Sequence, residues 1–188
     1  ARQPPRAPAR HQAVRPPYFV FNAKKPPFED RRVRQAMNYA VDREAIVNGI
    51  LQGYGEVRIG PFSPTQASFS PAGPQYKLDL DRARALLKEA GKDGGFGFTW
   101  LLRKDFMVKD EEIRQVLANQ LGKVNVKVNL QFVESSAYTP RYASGEFEMA
   151  VNAWGKSLEA DSVITGLRWL TENSKFYGNP QVDEAINK

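Results

Sequence analysis

The sequence holds no cysteine and a single histidine, His11. Without thiols there can be no disulfide, no catalytic thiolate and no thiolate metal site, and the redox compartment stays open. Long apolar runs are missing as well, since no stretch approaches the roughly 20 residues that cross a bilayer. Direct membrane insertion is therefore not expected. The opening residues, Ala1 to Pro17, contain no acid and no apolar segment of the kind a secretory signal needs, so any export signal is expected outside this chain. A phosphate-binding glycine loop is also lacking: Gly91, Gly94, Gly95 and Gly97 precede a strand-like run, the reverse of a dinucleotide fingerprint. With His11 in the opening segment, chemistry would fall to carboxylates. Asp79 with Asp81, and Glu111 with Glu112, are more simply explained as helix caps and first-turn partners of the helix dipole. No enzymatic activity, cofactor or metal is expected.

What is present describes one globular domain. Hydrophobic residues make up 41% of 188 and aromatics 11%, enough for a core. The net charge of +6 raises nucleic acid as a partner, but Arg2, Arg6, Arg10 and Arg15 sit in the acid-free opening segment and the remainder carries only +2. A general basic footprint is absent, so no nucleic-acid partner is expected. Five of the 13 prolines also fall in residues 1–17, which read as an extended or disordered Arg/Pro-rich tail or linker. Residues 18–188 read as the folded part.

Tyr18 to Asn22 is a short aromatic and β-branched run closed by Pro26-Pro27, and predicts a strand. From Asp30 the period changes, with Val33, Ala36, Met37, Ala40 and Val41 on one helical face. Asp42 then reads as the cap of a second helix that stops at Gly53. The stretch Tyr54 to Lys77 contains four prolines together with Tyr54, Phe62 and Phe69. So long a loop is often functional, which makes those rings candidates for lining a site, although they serve equally well as pins to the core.

Asp79 predicts a third helix ending at Gly91. Next come Phe96, Phe98, Trp100 and Leu102 in alternation, a helix through Ile113, Val116, Leu117 and Leu121, and a second alternating run from Val124 to Phe132. Strand, helix and strand form a βαβ unit, which implies parallel strands in an α/β sheet. Asn125, Lys127, Asn129 and Gln131 predict a solvated face, as on an edge strand. A segment with Tyr138 and Tyr142 leads past Gly145 to a strand through Phe147, Met149, Val151 and Ala153 that runs into Trp154. Ser162 to Leu170 looks helical. Asn179-Pro180 opens a last helix that meets the end of the sequence at Lys188, so the natural chain is expected to continue.

The string Asn22-Ala23-Lys24-Lys25-Pro26-Pro27-Phe28-Glu29-Asp30-Arg31-Arg32-Val33-Arg34-Gln35-Ala36, followed by Tyr39-Ala40-Val41-Asp42-Arg43-Glu44-Ala45-Ile46, resembles the second lobe of the family 5 extracellular solute-binding proteins, the peptide-, dipeptide- and nickel-binding group. The resemblance continues through Asp81 to Gly91, Val126-Lys127-Val128, and Gly145 to Met149 with Trp154. It implies a type II periplasmic-binding-protein-like fold: one α/β lobe with a mixed sheet flanked by helices, closing over its ligand with a second lobe. It further implies capture of a peptide or related small solute for an ABC-type importer, a membrane permease as partner, and a periplasmic or other extracytoplasmic setting. The substrate would lie against Trp154, Ser157, Asp161, Tyr54 and Phe62.

Some positions depart from the oligopeptide binders. In those proteins the stretch after the motif tryptophan supplies an acidic partner for the peptide amino group. Here Gly155, Lys156 and Ser157 occupy it, with Glu159 and Asp161 further on, and Val151 stands where some members have arginine. Asp161 resembles the aspartate of a later Asp-Pro motif, with Ser162 in place of the proline. The alternative to a transport lobe is a free-standing interaction module that uses its basic tail.

Overall fold

The computed structural model describes residues 17–57, 75–153 and 174–186. Of the expected tail 1–17, residues 1–16 lie outside them, as do most of the 54–77 loop, Trp154 and the Ser162 to Leu170 helix, whereas Pro17 is the first residue of a strand.

Among the described residues four strands form one mixed sheet: β1 (Pro17–Phe21), β2 (Phe96–Arg103), β3 (Val126–Val133) and β4 (Met149–Ala153), in the order β1-β4-β2-β3. β2 runs parallel to both β3 and β4, with Trp100 opposite Leu130 on one side and Met149 on the other. β1 is antiparallel to β4, placing Phe19 against Val151 and Pro17 against Ala153. Pro17 costs the ladder little as the first residue of an edge strand. In the interior strand β2, Trp100, Leu101 and Leu102 are all buried, so an unbroken apolar run occurs where both faces are covered. β3 occupies the other edge and exposes Lys127 and Asn129, as its alternation predicts.

The helices follow their caps. Asp30 accepts the Arg32 amide to start α1 (Arg31–Tyr39), Asp42 accepts that of Ala45 to start α2 (Arg43–Ala45), and Asp79 accepts that of Arg82 to start α3 (Leu80–Glu89). After α2 the chain continues as a π-helical turn over Ile46–Ile50 and is closed by Gly53 in the left-handed region. α1 buries Val33, Ala36 and Met37, α3 buries Ala83, Leu86 and Leu87, and the two helices pack on each other. α4 (Asp110–Gly122) crosses from β2 to β3 on the Trp100 face of the sheet. Its first turn carries Asp110, Glu111 and Glu112, all favourable at a helix N-terminus.

The sequence reading is sharpened at two places. The second alternating run was expected from Val124, but Val124 and Asn125 form a turn with Asn125 at φ 60°, and the strand begins at Val126. The turn sets the Asn125 carbonyl so close to Gly95 that a Cβ there would stand 2.3 Å from it. The segment with Tyr138 and Tyr142 is a helix, α5 (Ser135–Ser144), ended by Gly145 at φ 75°. Pro140 inside it masks the helical signal, because proline removes one ladder donor. A last helix, α6 (Pro180–Ile186), begins after Asn179, whose side chain accepts the Gln181 amide.

Candidate functional site

The chain direction of the parallel strands defines one rim. β4 ends at Ala153, β2 at Arg103 and β3 at Val133, while β1 enters opposite Ala153 at Pro17. In open α/β sheets the crevice outside the carboxyl ends of the strands is where ligands bind. The segment with Trp154, Ser157 and Asp161 leaves β4 at this rim, and all three residues, like Phe62, lie outside the described residues. Tyr54 is described: it follows the π-helical turn, is 76% exposed, and makes no ring contact among the described residues. Val151 is fully buried, and its carbonyl and amide both engage the Tyr138 hydroxyl. Burial raises that phenol well above its ordinary range, so Tyr138 is a neutral brace for β4.

At the end of β2 the chain makes a six-residue loop, 104–109, before α4. Within it Asp105 and Lys109 take left-handed backbone, at φ 51° and 57°. Such conformations cost non-glycine residues on the order of 1 kcal/mol or more each and persist where neighbours hold them. The neighbours are identifiable. The Arg103 guanidinium lies 4.5 Å over the Phe106 ring, Lys104 pairs with Glu134 at 2.7 Å, and Arg114 Nη2 lies 3.7 Å from the Met107 sulfur. Val108, between these pins, is 81% exposed.

Beneath the loop sits a buried ion pair that sequence reading missed. Arg114 Nη2 lies 2.5 Å from Asp110 Oδ1, one helical turn earlier, and the guanidinium is fully buried. It stacks 4.9 Å from the Phe19 ring and 5.0 Å from Trp100, which meet each other edge to face. Desolvation pushes the Asp110 carboxyl up while Arg114 pulls it down, and desolvation lowers Arg114 in turn. The only sequence signal was an Asp and an Arg spaced four apart, which ordinarily marks an exposed pair.

The string that carried the resemblance performs architectural work. Asn22 is 1% exposed, and its amide donates to the carbonyls of Gly145 and Phe147, both at 3.0 Å. Arg34 donates to the carbonyls of Phe28 and Glu29, Arg32 to that of Glu89, and Arg43 to those of Asn38 and Tyr76. A shallow depression of about 480 Å³ near Thr99 and Asn129 lies towards the start of the strands. Its one carboxylate, Glu148, is occupied by the Thr99 amide at 2.7 Å. Among the described residues there is no cluster of metal-ligating side chains, and no helix is long and apolar enough to cross a membrane.

Comparison with known proteins agrees with this architecture. Residues 4–175 match the family model described as bacterial extracellular solute-binding proteins, family 5 Middle, a match that begins inside the basic opening segment. The chain is 28% identical over 179 residues to heme-binding protein A of Haemophilus influenzae, covering 91% of this chain and 33% of that protein. It is 33% identical over 193 residues to the oligopeptide-binding protein AppA of Bacillus subtilis, covering 90% of this chain and 34% of the relative. The chain thus spans about a third of the length of these relatives. Among solved structures, AppA of Bacillus subtilis in complex with a nonapeptide superposes with a TM-score of 0.80 at 28% identity, covering 94% of this chain and 38% of AppA. HbpA2 from Haemophilus parasuis superposes with a TM-score of 0.83 at 25% identity, covering 94% of this chain and 36% of HbpA2.

Proposed function

The chain belongs to the bacterial extracellular solute-binding proteins of family 5, and from that membership we propose that the protein containing it captures a peptide or related small solute for an ABC-type importer. Residues 18–188 supply one lobe, residues 1–17 the linker that enters it, and a second lobe closes over the ligand. The work is binding without catalysis, carried out in the periplasm or an equivalent extracytoplasmic space, with delivery to a membrane permease. The observation that carries this reading is the convergence of three parallel strand ends and the β2–α4 loop at one rim, from which the Trp154 segment departs. Trp154, Ser157, Asp161, Tyr54 and Phe62 are the proposed ligand contacts, joined by the loop after Arg103. Aromatic rings among the proposed contacts suit solutes held largely through backbone hydrogen bonds and side-chain packing.

The test uses the full-length protein. Native mass spectrometry identifies solutes that co-purify, and thermal shift follows titration with the dipeptide Met-Leu, a nonapeptide and haem. Ligand at a hundredfold above its dissociation constant stabilises the folded state by about 2.7 kcal/mol, a readily measured rise in melting temperature. Finding no co-purified solute and no shift with any of the three would overturn the proposal.

A further inference from the structure

The buried Asp110–Arg114 pair is a costly way to fill a core. Elsewhere α4 turns Ile113, Leu117 and Leu121 inward, and a pocket walled by Phe19 and Trp100 would accept Met or Leu without removing two charges from water. Several of its groups go unmatched: Nε and Nη1 of Arg114, Oδ2 of Asp110 and Nε1 of Trp100 have no hydrogen-bonding partner among the described residues. Stability alone does not account for this arrangement. Its location does, because one guanidinium simultaneously touches β1 through Phe19, β2 through Trp100, the start of α4 through Asp110 and the rim loop through Met107.

The loop it touches needs holding. Left-handed backbone at Asp105 and Lys109 bends the chain so that Phe106 and Met107 turn towards the core while Val108 projects into solvent. Phe106 is held by Arg103 and Met107 by Arg114, which leaves Val108 displayed on a braced arch.

We propose that Arg114 is a positioning residue: it holds the β2–α4 loop in the shape that presents Val108 as an apolar contact for a side chain of the bound solute. This rests on the reading of the rim as one wall of a ligand cleft. Arg114 itself touches no ligand and acts through Met107 and Asp110. The inferred preference is for solutes with an apolar side chain at this position.

The experiment again uses the full-length protein. A nitroxide on Val108→Cys reports loop order by electron paramagnetic resonance, and calorimetry measures Met-Leu affinity with Val108 intact. Replacing both charges, Asp110→Leu with Arg114→Met, should leave the melting temperature unchanged or raised, since the buried pair is exchanged for packed apolar groups. The label should nevertheless tumble faster, and affinity should fall about twofold to thirtyfold, the range for residues that act on a site without contacting ligand. A folded double variant with an unchanged label spectrum overturns the proposal. So does a mobilised label with unchanged affinity. Should the double variant fail to fold, Arg114→Lys retains the charge opposite Asp110 but loses the planar group that spans both rings and Met107. It must then mobilise the label, or the proposal falls. If the unmodified protein ignores Met-Leu, the cleft reading fails separately, while the label still decides whether Arg114 holds the loop.

Discussion

Asn22 shows how much one polar side chain can organise. Its amide joins the end of β1 to the turn before β4, 123 and 125 residues away in sequence, and its oxygen accepts the Lys24 amide at 3.1 Å. Removing the side chain strands two buried carbonyls and an amide, each worth about 1–3 kcal/mol when left unmatched. Asn22→Ala should therefore lower unfolding free energy in urea by about 3 kcal/mol. Asn22→Asp should do at least as much damage at neutral pH, because it presents a carboxylate oxygen to two carbonyl oxygens. An aspartate variant as stable as the parent would refute this account. Asn22 was legible as part of a distinctive string, but its partners were not, since no local pattern links residues more than a hundred positions apart. The Arg114 pair was hidden for the same reason: four-residue spacing is identical for a solvated pair and a buried one, and only the packing of Phe19 and Trp100 distinguishes them.

At the level of elements, local signals were strongest where physics is local. Asp42 and Asp79 each cap the helix expected of them, and Asp30 caps α1 in the same way, because a cap is settled within three residues. α5 escaped notice because its Pro140 contradicts helix propensity and the fold overrides it. The turn between α4 and β3 was also misjudged, for a reason that yields a prediction. Gly95 has φ 84°, and a Cβ there would stand 2.3 Å from the Asn125 carbonyl oxygen, whereas a Cβ on Gly94 meets nothing within 4 Å. Gly95→Ala should cost about 2 kcal/mol or more through forbidden backbone and collision with a main chain that cannot yield. Gly94→Ala should be neutral or stabilising by up to about 1 kcal/mol. Thermal denaturation of the two variants decides the matter, and equal effects would contradict the geometry.

Across the whole molecule, the sheet order ranks the strands. β2 is paired on both sides and buried on both faces at Trp100, Leu101 and Leu102, while β1 and β3 are each paired on one side among the described residues. In hydrogen exchange, the β2 amides from Trp100 to Leu102 should be the last to exchange, and β3 or β1 amides outlasting them would contradict the order. The sequence by itself determined the periods, the caps, the βαβ unit and the family, because these rest on spacing within a few residues or on a string long enough to be distinctive. Only the tertiary structure decided that β4 inserts between β1 and β2, that the family string serves as internal bracing, and that a charged pair lies under the rim loop. Those outcomes depend on which surfaces exclude water when distant segments meet, and burial of that kind is a property of the assembled chain.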